Sequence, residues 1–246
     1  MKNRNKFNPI SVFIHVPKTA GSTVNDYLER LSAHGSSHIE SWINDDAVAS
    51  EKMLQLDWVS GHVQFPQMRA RLAANTARHL RFFTLIRDPI KQLMSHYNWL
   101  IEIYHRGNVF YDGHPQRIKE ISQAIRASDN DDPRTIIRQI SAAPGLFLNQ
   151  QSRTVLGDLS HIPSKDELND RLTVYDHIAT EKSLPNFIKQ LSGLNYEDTR
   201  RANVSNYHFD RTAFESEDMK EFVADRHAAD LALYRHLKDR EAQGSA

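Results

Sequence analysis

A chain of 246 residues with 39% hydrophobic and 25% charged side chains has the composition of folded protein, enough for one large α/β domain or at most two small ones. Its 31 Lys and Arg balance 31 Asp and Glu, which argues against a general nucleic-acid binder and makes any anion site a local one. There is no cysteine, so disulfides and thiolate metal centres are excluded, and the absence fits a reducing compartment. The N-terminus is basic, but the apolar run 10–16 is too short for a signal sequence or a membrane span, so a cytoplasmic protein without a transmembrane segment is expected.

In chain order, 10–16 (ISVFIHV) is apolar and β-rich and predicts a buried strand. After PKTAGST at 17–23, Val24, Tyr27, Leu28 and Leu31 fall on one face of a helix, with Ser22 or Thr23 as its N-terminal cap. A short strand is expected at 57–60, followed by a loop, GHVQFP, that Gly61 and Pro66 mark. Residues 81–86 (RFFTLI) are a second buried strand. Asp88 then caps a helix with Pro89 in its first position and an apolar stripe of Ile90, Leu93, Met94, Tyr97, Ile101 and Tyr104. Short helices broken at Pro133, Pro144 and Pro163 fill 115–170, and a late strand lies at 175–180. Helices follow at 182–192 and 216–240, the last with Glu217 and Asp218 in its first turn and Lys238 and Arg240 in its last. Alternating strands and helices predict a P-loop-like, mostly parallel sheet with helices on both faces and extra helical segments in the middle and C-terminal parts. Ligands of such sheets sit beyond the carboxyl ends of the strands, where 17–23 and 87–89 both lie.

The first of these loops has the makings of an anion site. A helix N-terminus offers unpaired N–H groups and a partial positive charge. Gly21 allows close backbone approach, Lys18 adds a full charge, and Thr19, Ser22 and Thr23 add hydroxyls. The bland alternative is an ordinary capped helix. It is not a Walker A loop, because Lys18 precedes Gly21 and no GxxxxGK[ST] is present. Arg87 at a strand end and Ser95, at about 140° from the centre of the apolar stripe for about 100° per residue, are placed to grip a second phosphate, with a surface ion pair and a solvated serine as the alternative. His62, beside Gly61 and between the two anion motifs, stands out among 13 histidines, with His15 and His96 as weaker neighbours. His34 and His38 have metal-ligand spacing but no HExxH pattern, and read as a solvated helix end.

Together these stretches, HVPKTAGST, SGHVQF and IRDPIKQLMSHY, resemble the sulfotransferase superfamily that uses 3′-phosphoadenosine-5′-phosphosulfate (PAPS), most of all the branch of heparan sulfate 2-O-sulfotransferases and their bacterial relatives. The resemblance is sharp over 10–30 and 58–100. It implies a single α/β domain over 1–246, with 105–170 a helical insertion on the acceptor side. It also implies a 5′-phosphosulfate site at Lys18, Thr19, Ala20, Gly21, Ser22 and Thr23, a 3′-phosphate site at Arg87 and Ser95, and His62 as base with Lys18 at the leaving oxygen. Related enzymes often carry a basic residue where this chain has Gln92. A late strand and helix (YDHIATEKSLPNFIKQL) and a loop NVSN at 203–206 match more loosely. The implied activity is PAPS-dependent O-sulfation, leaving 3′-phosphoadenosine-5′-phosphate (PAP) and requiring no metal. The partner would be a hydroxyl-bearing acceptor, a saccharide or a lipid-linked molecule, with nucleic acid not expected and oligomeric state unread. Trp42, Trp58, Trp99, Tyr104 and His105 are candidates for an acceptor cleft or, more simply, core aromatics. The rival readings are a P-loop phosphotransferase, which would need a Ser or Thr after the Lys and a magnesium-holding Asp, and a nucleotide-binding adaptor that has kept the anion loops.

Overall fold

A computed structural model describes residues 8–197 and 206–244. The chain divides into two compact units, one formed by 1–87, 151–197 and 232–246, the other by 88–150 and 198–231.

The first unit is built on five strands, β1 (Ile10–Ile14), β2 (Gly35–Ser36), β3 (Trp58–Gly61), β4 (Leu80–Ile86) and β5 (His177–Thr180). They form one sheet in the order β2-β3-β1-β4-β5, and every pair is parallel. Its helices are α1 (Gly21–Leu31), α2 (Asp46–Met53) and α3 (Phe65–Asn75). The second unit contributes α4 (Pro89–His105), α5 (Asn108–Asp112), α6 (Gln116–Arg126), α7 (Pro133–Ala142) and α8 (Pro144–Phe147). Then come α9 (Gln150–Leu156), α10 (Lys165–Arg171), α11 (Leu184–Ser192), α12 (Glu217–Arg226) and α13 (Ala228–Ala242). This is the expected parallel sheet with helices on both faces.

Strand periodicity makes the two faces. Ile10, Val12 and Ile14 of β1 join a cluster with Met53, Met68, Leu72, Leu168 and Leu233, whereas Phe13 joins one with Val24, Leu28, Phe187 and Leu191. A separate cluster fills the second unit, where Leu93, Tyr97 and Leu100 of α4 pack with Ile125, Ile136, Phe147 and Phe214. Aspartates start several helices as caps: Asp45 for α2, Asp88 for α4 and Asp132 for α7.

Some expectations change. Neither Ser22 nor Thr23 caps α1; its N-cap is Ala20, which lies in the left-handed region (φ 68°) and makes no side-chain cap. Leu31 is exposed, because α1 ends there and Ser32 is extended. The loop read at GHVQFP gives way to α3, for which Pro66 serves as a first-turn residue instead of a breaker. The prolines at 133 and 144 likewise open α7 and α8. The helix expected over 216–240 is two helices, parted where His227 (φ −117°, ψ 29°) leaves helical geometry without any local Gly or Pro to announce it. On α4, Ser95 is buried, as are Gln92, His96 and Asn98, so the helix is covered nearly all round instead of along one stripe; Tyr104 is exposed beneath the Arg126 guanidinium, 3.6 Å from its ring centre. Except for Asn206, the loop NVSN lies outside the described residues. No helix among the described residues is long and apolar enough to cross a membrane.

Candidate anion and base site

Three loops of the first unit leave the carboxyl ends of the three adjacent central strands β3, β1 and β4, and each carries one of the sequence motifs. The chain turns one way from β1 to β2 and β3 and the other way to β4, which makes this end of β1 the sheet's switch point, where parallel α/β folds bind ligands.

The loop after β1 is a compact turn. Lys18 (φ 67°) and Ala20 (φ 68°) both take left-handed backbone, an uncommon state for residues with a side chain. Between them Thr19 is fully buried and its Oγ1 donates to the Val16 carbonyl at 2.8 Å. Thr19 therefore holds the turn with its hydroxyl. The N–H groups of Thr23 and Val24 return to the Ala20 carbonyl, whereas those of Gly21 and Ser22 have no acceptor among the described residues. The backbone at Gly21 lies against the His15 ring: a Cβ there would stand 1.9 Å from His15 Nε2.

Arg87, half-buried after β4, donates from Nη1 to the Lys18 carbonyl at 3.3 Å, across 69 positions of sequence. The Gln151 side chain clamps its backbone from both sides, accepting from Arg87 N–H at 2.7 Å and donating to Arg87 C=O at 2.8 Å. Gln151 is fully buried and escapes sequence reasoning, because nothing in NQQS marks one glutamine over another.

His62 follows β3. Its Nδ1 lies 2.8 Å from the His15 carbonyl oxygen, which only accepts, so Nδ1 carries the proton and Nε2 keeps the lone pair. The rings of His62 and His15 are 4.2 Å apart. Burial, together with the positive field of His62, His38 and Lys18, holds the His15 imidazole well below its usual range. Burial also lowers His62, opposed by the His15 carbonyl and the Glu40 carboxylate. Glu40 accepts from the His62 N–H at 3.0 Å and lies 3.1 Å from His38 Nδ1. Burial alone would raise the Glu40 carboxyl, but hydrogen bonds from its own and the His62 backbone and from His38 carry it lower. His38 therefore joins Glu40 and His62, not His34, and sits in left-handed backbone (φ 55°) at the start of a 3₁₀ turn instead of at a helix end. Glu40 was the second residue missed; its role arises only from the fold.

Ser95 is on α4 in the second unit, as is His96, which is packed against Trp99 and Phe147 at ring distances of 5.7 and 5.3 Å. Gln92 donates to Gln150 Oε1 at 2.7 Å. Trp42 and Trp58 are buried and donate through Nε1 to Ser36 Oγ and the Ser32 carbonyl, as core tryptophans do. Trp99 is half-buried, and Tyr104 and His105 are exposed.

Lys18, Arg87 and the N–H groups at the start of α1 are all donors, and 17–23 contains no carboxylate, a set that fits tetrahedral anions. The fold is thus that of a parallel α/β protein with a donor-rich loop at the switch point of its sheet. The family model described as the sulfotransferase family matches residues 8–144, more than half the chain, and the chain belongs to that family. Comparison with curated proteins gave no significant match. Family membership makes the chain a sulfuryl-transferring enzyme.

Proposed function

We propose that the chain moves a sulfuryl group from PAPS to an acceptor hydroxyl, a saccharide first among the candidates, by in-line displacement with His62 as general base. The observation that carries this reading is the 3.3 Å bond from Arg87 to the Lys18 carbonyl, which ties Arg87 to the first anion loop within one unit. The donor supplies an already activated sulfuryl group, so the protein's part is orientation and charge stabilisation.

Lys18, the N–H groups of Gly21 and Ser22, and the hydroxyls of Ser22 and Thr23 hold the 5′-phosphosulfate. Thr19 and Ala20 shape the turn, Thr19 through its inward hydroxyl and Ala20 through its left-handed backbone. Arg87 and Ser95 are assigned the 3′-phosphate on the motif alone. Nε2 of His62, left basic by the proton on Nδ1, takes the acceptor's proton, and the Lys18 ammonium offsets charge on the leaving oxygen. Lys18 and the start of α1 supply the positive field, so the transfer needs no metal. The segment 105–170 is proposed for the acceptor, and the cytoplasm for the compartment.

Labelled PAPS incubated with the enzyme and pools of saccharides, lipids and small alcohols reads transfer directly. His62→Ala is expected to lose roughly 10²–10⁴-fold in transfer while still binding PAP. Full turnover by that variant on the true acceptor removes His62 as base. Binding of PAP with no labelled product from any pool would favour the adaptor reading.

A further inference from the structure

His38 and Glu40, at the 3₁₀ turn over 39–41, and His62, after β3, place one ring nitrogen or carboxylate oxygen each within 4.8 Å of the others. Two imidazoles and a carboxylate are the ligand set of three-residue zinc centres that leave a position to water. Several features look built for this. The His62 Nδ1–H donates to the His15 carbonyl at 2.8 Å, the backbone bond that commonly fixes the tautomer and ring of a metal-ligating histidine. Glu40 is tethered by the His62 N–H at 3.0 Å, which leaves its other oxygen on His38. Gly61 makes that approach possible, since a Cβ there would stand 2.6 Å from Glu40 Oε2. His38 is held in left-handed backbone, which directs its ring towards His62 at 5.7 Å between centres. All three residues are exposed overall, so an ion can reach them from solvent, while the His62 ring is partly desolvated where it packs on His15.

We propose that His38, Glu40 and His62 form a site for a zinc-type divalent cation, with water completing its coordination. Imidazole nitrogens with one carboxylate favour Zn²⁺ and its neighbours over Mg²⁺ or Ca²⁺, which take oxygen ligands. A bound ion occupies the lone pair of His62, so the site is inhibitory; this consequence, though not the binding itself, rests on His62 being the base.

The test titrates Co²⁺ and then Zn²⁺ into the tag-free, full-length protein without donor or acceptor. Visible absorption reports tetrahedral cobalt, and a chromogenic chelator reports competition by zinc. The expected result is one equivalent of Co²⁺ bound and displaced by Zn²⁺, with affinity at least about tenfold weaker in His38→Asn and in Glu40→Gln. Asparagine tolerates the left-handed backbone, and glutamine retains an acceptor for the His62 N–H, so both variants are designed to keep the fold. His34→Ala, which removes the other histidine at ligand spacing, should bind as the wild type does. Absence of cobalt absorption, binding unchanged in His38→Asn, or binding lost in His34→Ala would each overturn the site. PAP binding is measured separately by thermal shift, so failure of the metal site and failure of the donor reading are told apart.

Discussion

The left-handed pair Lys18 and Ala20 explains why PKTAGST is not a Walker loop. In a Walker loop the lysine follows the glycines at the helix start; here it precedes Gly21 and lies in the turn itself, where its carbonyl accepts from Arg87. Gly21 is required for a reason other than a positive φ, because the His15 ring fills the space a Cβ would take. Gly21→Ala must displace that ring, and overpacking of this kind costs typically 1–3 kcal/mol. A lowered thermal midpoint together with weakened PAP binding is expected; wild-type values of both would show that the ring yields freely. At this scale the placement of much of the proposed site was legible in the sequence. Lys18, Gly21, His62 and Arg87 are legible because chemistry-bearing residues sit at strand ends. Thr19 was legible only as a hydroxyl, since the direction of that hydroxyl depends on where the Val16 carbonyl ends up. Glu40 and Gln151 were illegible because each acts on a residue far away in sequence, Gln151 across 64 positions.

Among the elements, the ends of β3, β1 and β4 are what bring the motifs together, and one side chain from the start of α9 locks the last of them. Gln151 holds both backbone groups of Arg87. Gln151→Leu is of similar size and leaves those groups without the amide, at a cost of about 1–3 kcal/mol. The expected outcome is a destabilised protein whose PAP affinity falls as well, measured by urea unfolding and calorimetry; unchanged affinity would show that Arg87 is held by other means. Strands β1 and β4 were legible from continuous apolar runs, the mark of strands covered on both faces. β2 was not, because two residues, Gly35 and Ser36, carry no periodicity. The burial of Ser95 was missed because a stripe angle assumes one covered face, and α4 is covered nearly all round.

Over the whole molecule, zero net charge means that any positive field must be local, and the proposed site draws its own from Lys18, Arg87 and the start of α1. Buried histidines give the fold its own acid sensitivity. His227, at the break between α12 and α13, is buried with no partner for Nε2 among the described residues, and burial, aided by the Arg226 charge, lowers it from 6.5 to about 4. The neutral form is the folded one, so this contribution is fully present above pH 6.5 and is lost as pH falls towards 4 and the unfolded chain takes up the proton. Between about pH 7 and about pH 5 it amounts to about 2 kcal/mol. Urea unfolding of wild type and His227→Gln at both values should show the smaller pH dependence in the variant; equal dependence would clear His227 of the role.

The central claim is that the loop after β1 and Arg87 form a donor site for PAPS and not for a nucleoside triphosphate. Calorimetric titration of PAP, ATP and AMP into the wild type and Arg87→Ala measures this most directly. Tight binding of PAP without added magnesium, little binding of ATP or AMP, and roughly 10–100-fold weaker PAP binding in Arg87→Ala are the predicted results, since hydrogen bonds to charged groups are worth about 1.5–3 kcal/mol. Preference for ATP with magnesium, or PAP affinity unchanged by Arg87→Ala, would contradict it.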